Sequence, residues 1–155
     1  MTNTTVDLYR SVRKDDFPNG VIVDNHAVAG VLYPSFAPKT YQAMVKGKPV
    51  TKTRLADVKP YEHKGEQVID PGGGTSLFDK SGAFGMVHWY YFTIPKDTVI
   101  PDSLAVRHTG RNATYDAEHY QIEAAAAQLT VTAYKGALDN FARNAVVKLC
   151  ENAKK

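Results

Sequence analysis

A glycine-rich turn followed by two hydroxyl side chains offers the clearest chemistry in this sequence. Gly72, Gly73 and Gly74 carry no Cβ, so their backbone can approach a ligand closely. Thr75 and Ser76 then supply hydroxyls that can hydrogen-bond a polar ligand or a partner side chain. The spacing fits neither the Walker pattern nor the Gly-x-Gly-x-x-Gly pattern of dinucleotide-binding folds, and a plain tight turn that enters a strand is the open alternative.

An arginine lies on the apolar face of the first predicted strand. The alternation over residues 6–12 places Arg10 in line with Val6, Leu8 and Val12. A guanidinium is charged at any relevant pH, and burying it without a partner is costly, so Arg10 requires a carboxylate or a phosphate. Two interpretations remain open: an anion clamp at the floor of a cleft, or an arginine at a strand end whose stem packs while its head reaches water.

Polar side chains also share one face of a late predicted strand. The period of two over residues 118–124 places His119, Gln121 and Glu123 together, with aromatic and apolar side chains on the opposite face. Three hydrogen-bonding groups in one row can form a wall of a binding site. The alternative is the solvent face of an edge strand.

The composition sets the class of protein within which these residues act. At 155 residues, with 43% apolar and 23% charged residues, the chain has ordinary globular composition, and we expect residues 1–155 to form one domain. The formal charge of +3 and the absence of a long Lys/Arg block say little about a partner. A single cysteine, Cys150, excludes an intrachain disulfide, and the five histidines lack metal-ligand spacing, so we expect no metal.

The sequence also carries an expectation about cellular location. It has no apolar run of membrane-spanning length and no charged-then-apolar leader. We therefore expect a cytoplasmic protein, or one that is delivered into a recipient's cytoplasm without a cleaved signal.

Strands dominate the predicted elements, and a single long helix ends the chain. Apolar residues at helical spacing predict that helix over 134–153. Four prolines between residues 31 and 60 favour irregular structure, with one short helix near 40–45. The expected fold class is α+β. Strands are predicted at 6–12, 66–70, 75–78, 87–94, 104–107 and 118–124, with a polar loop over 109–116.

Three of these features together resemble the signature of mono-ADP-ribosyltransferases. They are Tyr9-Arg10 on a first strand, Gly74-Thr75-Ser76 at the start of a middle strand, and the polar late strand. More closely, the chain resembles the small type VI secretion toxins of the ADP-ribosyltransferase-like fold, the "Tse" cytotoxic effector type. Residues 21–65 match this group poorly. The matching stretches follow in order: Leu8-Tyr9-Arg10, Gly73 to Asp79, Ile94-Pro95 through Ile100-Pro101, His119-Tyr120, and Leu138 to Ala145.

The resemblance implies a fold, a cofactor and its binding residues. The fold is a single-domain, split antiparallel β-sheet core of the ADP-ribosyltransferase type with a C-terminal helix. The cofactor is NAD. In such transferases the strand arginine grips NAD through ribose or phosphate, which implies cofactor-binding roles for Tyr9 and Arg10. Thr75 and Ser76 would brace the site and order the nicotinamide pocket.

The resemblance also implies catalytic residues on the late strand. This strand usually supplies a glutamate that stabilises the oxocarbenium-like transition state. Here the usual Glu-x-Glu aligns with His119-Tyr120-Gln121, which carries no carboxylate. The implied catalytic set is therefore His119, Gln121 and Glu123, with the glutamate role filled either by Gln121 or, after a shift in register, by Glu123.

The implied function is that of an NAD-dependent toxin that modifies a cytoplasmic target and arrests growth. A toxin of this kind implies an immunity protein made in the same cell. The loop over 110–116 would recognise the target, with Arg111 and Tyr115 as candidate contacts. Two alternatives remain: a ribonuclease or nucleic-acid-binding toxin on the same fold, which uses histidine chemistry and aromatic stacking, and a non-catalytic binding module.

Overall fold

A computed structural model describes residues 2–154 of the chain. These residues form fourteen strands, one 3₁₀ helix (Lys14–Asp16) and one α-helix, α1 (Val131–Ala153). The strands are β1 (Thr2–Asn3), β2 (Leu8–Arg13), β3 (Ile22–Val23), β4 (His26–Ala27), β5 (Lys39–Val45), β6 (Lys48–Arg54), β7 (Tyr61–His63), β8 (Glu66–Ile69), β9 (Gly74–Phe78), β10 (Trp89–Ile94), β11 (Val99–Ile100), β12 (Leu104–Asn112), β13 (Ala117–Ala124) and β14 (Leu129–Thr130).

The largest sheet has five antiparallel strands in the order β10-β2-β9-β13-β12. Its centre is split, because β2 and β9 pair through Tyr9 and Phe78 alone, whereas β9 pairs with β13 along its whole length. Smaller sheets join β1 to β11, β14 to β8 and β7, β3 to β4, and β5 to β6. The prediction of a split antiparallel α+β fold closed by a C-terminal helix is confirmed.

The core lies between the large sheet and α1. Apolar side chains alternate along the strands and recur at helical spacing in α1, so Phe92, Ile122, Leu138 and Phe141 all become fully buried. The helix begins earlier than the spacing predicted, because the side chain of Thr130 caps it by accepting a hydrogen bond of 3.1 Å from the N–H of Ala133. None of the described helices combines the length and apolarity that a membrane crossing demands.

The expectation of irregular structure over residues 31–60 is confirmed for 31–38 and 55–60 but wrong for 39–54, and the short helix expected near 40–45 is a strand. Strands β5 and β6 form a regular hairpin, joined by Lys46 and Gly47 at φ angles of 52° and 78°. Positive φ at both central positions is the geometry of a tight turn that matches the twist of the strands. Pro49 is tolerated because both strands of an isolated hairpin are edge strands, so no hydrogen bond across a further strand is lost.

The polar loop predicted over 109–116 is also shorter than expected. Strand β12 continues to Asn112 and stays paired with β13 after a bulge between His108 and Gly110. Gly110 adopts a φ of 135°, which lets the strand absorb the extra residue. The turn that remains spans residues 113–116.

Candidate functional site

Arg10 reaches from β2 into the split of the sheet. Its two terminal nitrogens donate hydrogen bonds to the backbone carbonyls of Ser76, at 3.3 Å, and Tyr33, at 3.0 Å. Its Nε is buried and has no hydrogen-bond partner among residues 2–154. Within the same residues no carboxylate lies within ion-pair distance of the guanidinium. Burial lowers the pKa of Arg10, and the negative charge of Asp57 partly opposes this shift.

Two irregular segments cover the guanidinium of Arg10. The first contains Tyr33 and Ser35, and the second contains Asp57. They hold each other through a reciprocal pair of hydrogen bonds: the Ser35 N–H donates to Asp57 Oδ2 at 3.0 Å, and the Asp57 N–H donates to Ser35 Oγ at 2.9 Å. Sequence reasoning missed Tyr33 and Asp57, because a backbone carbonyl contact and a distant charge leave no motif to read.

The glycines of the central turn approach the protein's own backbone. A Cβ on Gly73 would lie 2.3 Å from the carbonyl oxygen of Asp57, and a Cβ on Gly74 would lie 1.8 Å from that of Ile122. Real Cβ atoms do not come this close to backbone oxygens, so both positions require glycine. The turn therefore fixes the Asp57 segment and the β13 strand against the start of β9.

The two hydroxyls that follow the turn point in opposite directions. Thr75 is fully buried and donates to the Leu32 carbonyl at 2.5 Å, so it ties β9 to the segment before Tyr33. Ser76 is half-buried and lies opposite Gln121 in the register of β9 and β13. Beside Thr75, the hydroxyl of Tyr134 donates to the Ile122 carbonyl at 3.0 Å, and burial raises the pKa of Tyr134 to about 12.

The carboxylate of Glu123 accepts three hydrogen bonds within the site. Glu123 is only 6% exposed, and its Oε1 accepts hydrogen bonds from the Gly72 N–H at 3.0 Å and from Arg107 Nε at 3.3 Å. Its Oε2 accepts a bond of 3.1 Å from the side-chain amide of Gln121. Glu123 and Gln121 thus act as a connected pair, and the glycine turn holds one end of it.

His119 lies further along the same face of β13. Its ring packs edge-on against Phe78, with centroids 5.3 Å apart, and its Nδ1 hydrogen-bonds the hydroxyl of Thr109. Burial lowers the pKa of His119, which favours the neutral imidazole. Tyr9 shares this face, because it lies opposite Phe78 in the register of β2 and β9.

The sequence-predicted site residues divide between the two faces of the sheet. Arg10 and Thr75 point toward the helix side, together with Leu77 and Ile122. The rest of the set points to the other face. The two groups meet where the Arg10 guanidinium reaches the Ser76 carbonyl through the split. The set on the other face comprises Tyr9, Ser76, His119, Gln121 and Glu123.

The two candidate target contacts lie beyond this set. Arg111 is exposed and pairs with Asp116 across the turn. Tyr115 packs edge-on against Phe78 and Phe84, with ring centroids at 5.8 Å and 4.8 Å. Tyr115 therefore extends an aromatic cluster that begins beside His119. Within residues 2–154, no group of three or more His, Cys, Asp or Glu side chains is placed to hold a metal ion.

Comparison with known proteins places this geometry in a family. Residues 3–150 match the family model of the Tse2 ADP-ribosyltransferase toxin. The chain is also 29% identical over 161 aligned residues to "Toxin Tse2" of Pseudomonas aeruginosa, an alignment that covers 97% of this chain and 94% of that protein. The expectation of an ADP-ribosyltransferase-like toxin, drawn from the arginine strand, the hydroxyl pair and the polar late strand, is confirmed. The chain belongs to the Tse2 ADP-ribosyltransferase toxin family, and its enzyme class is that of a transferase.

Proposed function

We propose that residues 1–155 form a single toxin domain that uses NAD as the donor in mono-ADP-ribosylation of a cytoplasmic target. Family membership implies NAD in general terms, and the proposal assigns its binding to Arg10, Ser76 and Tyr9. NAD supplies the ADP-ribosyl group and releases nicotinamide. The side chains of this protein would bind the donor, orient it and stabilise the charge that develops on it.

The proposal rests on the environment of the Arg10 guanidinium. It is a charged group in a desolvated position, its contacts are neutral carbonyls, and its Nε has no partner among the described residues. A guanidinium matches the geometry of phosphate oxygens through paired, charge-assisted hydrogen bonds. A diphosphate that reached Arg10 would therefore satisfy an unused donor and balance a charge that Asp57 offsets only in part.

The residues on the opposite side of the split would position the ribose of the donor and stabilise the charge that develops on it. Glu123 places a negative charge beside Gln121, where it would stabilise positive charge that develops on a ribose. The Gln121 amide is oriented by Glu123, and the Ser76 hydroxyl lies opposite it in register. The neutral form of His119, favoured by its lowered pKa, can accept a proton. Thr75 supports the site from the core through its bond to the Leu32 carbonyl.

The test compares the two arginines of β2. Arg10→Lys keeps the positive charge but loses the fork of donors, and we expect the transfer of label from isotope-labelled NAD to cell extract to fall by about tenfold or more, with nicotinamide release falling in parallel. Arg13→Lys is the matched control, because Arg13 is exposed, lies over Trp89 and belongs to none of the groups above. Equal loss in both variants, or neither label transfer nor nicotinamide release by the parent protein, would refute the proposal.

We further propose a cognate immunity protein as the partner of this toxin. It would block growth arrest by covering the face that carries His119, Gln121 and Glu123. Substituting exposed residues around this face should then weaken toxin–immunity binding, as measured by calorimetry with the purified pair. The control Lys154→Gln, directly after the C-terminal end of α1, should leave binding unchanged. The opposite pattern would place the immunity surface elsewhere.

A further inference from the structure

The positive charge of this protein is concentrated on one hairpin. Residues 39–54, which form β5, β6 and their turn, contain five Lys or Arg residues and no Asp or Glu. The whole chain has 19 basic and 16 acidic residues, so the remainder has 14 basic and 16 acidic residues and a formal charge of −2. These residues form no contiguous basic block in the sequence, because the cations alternate with uncharged residues and are divided between two strands.

The strand register sorts these residues onto two different faces. Residues directly opposite each other in an antiparallel pair share a face, and the face alternates along each strand. One face therefore carries four opposed pairs: Lys39 with Arg54, Tyr41 with Lys52, Ala43 with Val50, and Val45 with Lys48. The other face carries uncharged side chains. These are Thr40, Gln42, Met44, Pro49, Thr51 and Thr53.

This cationic face is exposed and is not balanced by carboxylates. Lys39, Lys48, Lys52 and Arg54 are all exposed and take part in no salt bridge within residues 2–154. Tyr41, which lies on the same face as these cations, is 48% exposed. Like charges directly opposite each other, as in Lys39 and Arg54, destabilise a hairpin, so the arrangement lowers the stability of the fold rather than adding to it. An external anion would relieve the repulsion.

The shape of the face favours a linear polyanion. Each strand spans six residue steps, which at a rise of about 3.4 Å per residue gives a cationic row of about 20 Å. The open end of the hairpin connects to the two segments that cover Arg10, because β5 follows the Tyr33–Ser35 segment and β6 leads into the Asp57 segment. A polyanion bound along the row would thus end beside the candidate site. An exposed tyrosine within the row adds a flat surface on which a base can stack.

We propose that the cationic face of the β5–β6 hairpin binds single-stranded nucleic acid, with Lys39, Lys48, Lys52 and Arg54 contacting phosphates and Tyr41 stacking on a base. This surface is separate from the NAD-binding role of Arg10, and its binding requires no NAD. The proposal therefore stands or falls independently of the proposed function.

The experiment measures the fluorescence anisotropy of a labelled single-stranded RNA titrated with the full-length protein at several salt concentrations. The variant carries Lys39→Gln, Lys52→Gln and Arg54→Gln. We expect its affinity at low salt to fall by about tenfold or more, and the slope of log affinity against log salt to become shallower by about 2, because each lost phosphate contact on a single strand accounts for about 0.7. Tyr41→Ala should weaken binding by about fivefold or more without changing that slope, because stacking releases no counterions.

The matched control removes the same charge from elsewhere on the surface. Lys64, Lys96 and Lys154 are exposed and lie outside the hairpin, so their combined change to glutamine should leave affinity within about twofold of the parent. Equal losses in the two triple variants would overturn the proposal, as would competition by polyglutamate equal to that by RNA, which would indicate an acidic protein partner. Binding to phosphatidylserine vesicles with none to RNA would also overturn it. Melting curves of each variant verify that the hairpin changes leave the core folded.

Discussion

The two charged ends of the candidate site are held in opposite ways. At one end Arg10 contacts only neutral carbonyls and keeps one nitrogen without a partner among the described residues. At the other end Glu123 accepts three hydrogen bonds, one of them from the guanidinium of Arg107. The charge of the carboxylate is therefore balanced by a direct ion pair, whereas that of the guanidinium is opposed only by the more distant Asp57. The difference indicates that an incoming anion gains most of its binding free energy at the Arg10 end.

The glycine turn joins these two ends and makes them one unit. The Gly72 N–H donates to Glu123, and Gly73 abuts the backbone of Asp57, whose segment covers Arg10. Gly74 abuts the backbone of Ile122, next to Glu123. Because these contacts involve backbone atoms, the turn fixes the position of each end relative to the other. Variants in and around the turn therefore test whether the two ends differ as the structure indicates.

The largest expected effect comes from Gly74→Ala. The new methyl group would lie 1.8 Å from the Ile122 carbonyl oxygen, so the pairing of β9 with β13 must open. We expect the free energy of unfolding to fall by more than about 4 kcal/mol, which leaves little of the marginal stability of a domain this size. Urea unfolding followed by circular dichroism measures the change.

Gly136→Ala is the control for this substitution. Gly136 is exposed in the interior of α1 and has nothing within 4 Å of its Cβ position. Alanine has the higher helix propensity, so this variant should be more stable than the parent by up to about 1 kcal/mol. A Gly74→Ala protein as stable as the parent would show that the turn is pliable and that the two ends are not rigidly joined.

How far the sequence predicts this structure depends on whether the signal is local. The strand that carries Arg10, the terminal helix and the polar face of β13 all follow from periodicity, which reports burial of one face. The pairing of Lys39 with Arg54 depends on the register of a hairpin, and the prolines between residues 31 and 60 favour irregular structure there instead, so the sequence does not predict the cationic face.

The candidate site shows the same limit. Its side chains could be named from type and spacing, and the resemblance to transferases supplied their order. The partners of Arg10 could not be named, because they are backbone carbonyls of Tyr33 and Ser76. The glycine run is compatible with a close ligand or with a tight turn, and in the structure Gly73 and Gly74 make room for the protein's own backbone. A glycine indicates that another group approaches the backbone closely, but it does not identify that group.

The next largest effect is expected at the balanced end of the site. Glu123→Gln keeps the shape of the side chain but presents an NH₂ group where the carboxylate accepted bonds from three donors. The Gln121 amide must then turn over to accept from the new NH₂, and the bond from the Gly72 N–H loses its charge assistance, so we expect a loss of about 2 kcal/mol in the free energy of unfolding, measured in urea. Arg107 adds little to this figure because it is half-exposed and solvent screens its charge.

Glu62→Gln provides the comparison for that variant. Glu62 is an exposed residue on β7, so the same change of atoms should alter stability by less than about 0.5 kcal/mol. If the two glutamine variants were equally stable, the hydrogen bonds to Glu123 would contribute nothing net, and the contrast between the two ends would lose its basis.

A smaller effect is expected at the Arg10 end from Asp57→Asn. The negative charge of Asp57 raises the pKa of Arg10 from a distance, without a direct ion pair, and an asparagine oxygen can still accept from the Ser35 N–H. We expect a loss of about 1 kcal/mol, less than for Glu123→Gln, with Asp102→Asn at an exposed position as the control. A loss larger than that of Glu123→Gln would mean that Asp57 already balances Arg10, which leaves no uncompensated charge for a ligand.

The smallest effect concerns the pH dependence contributed by His119. Burial lowers its pKa below the ordinary value of 6.5, so over a pH window just below 6.5 the unfolded chain binds a proton that the folded chain does not. The stability contributed by the neutral imidazole is therefore complete above that window and is lost as the pH falls through it. His119→Asn should remove this part of the slope of unfolding free energy against pH, as measured by urea unfolding at several pH values. A His119→Asn protein whose stability falls more steeply than the parent's on acidification would mean that folding favours the charged imidazole. The face of Gln121 and Glu123 would then carry a cation of its own, and an anion would no longer be drawn to Arg10 alone.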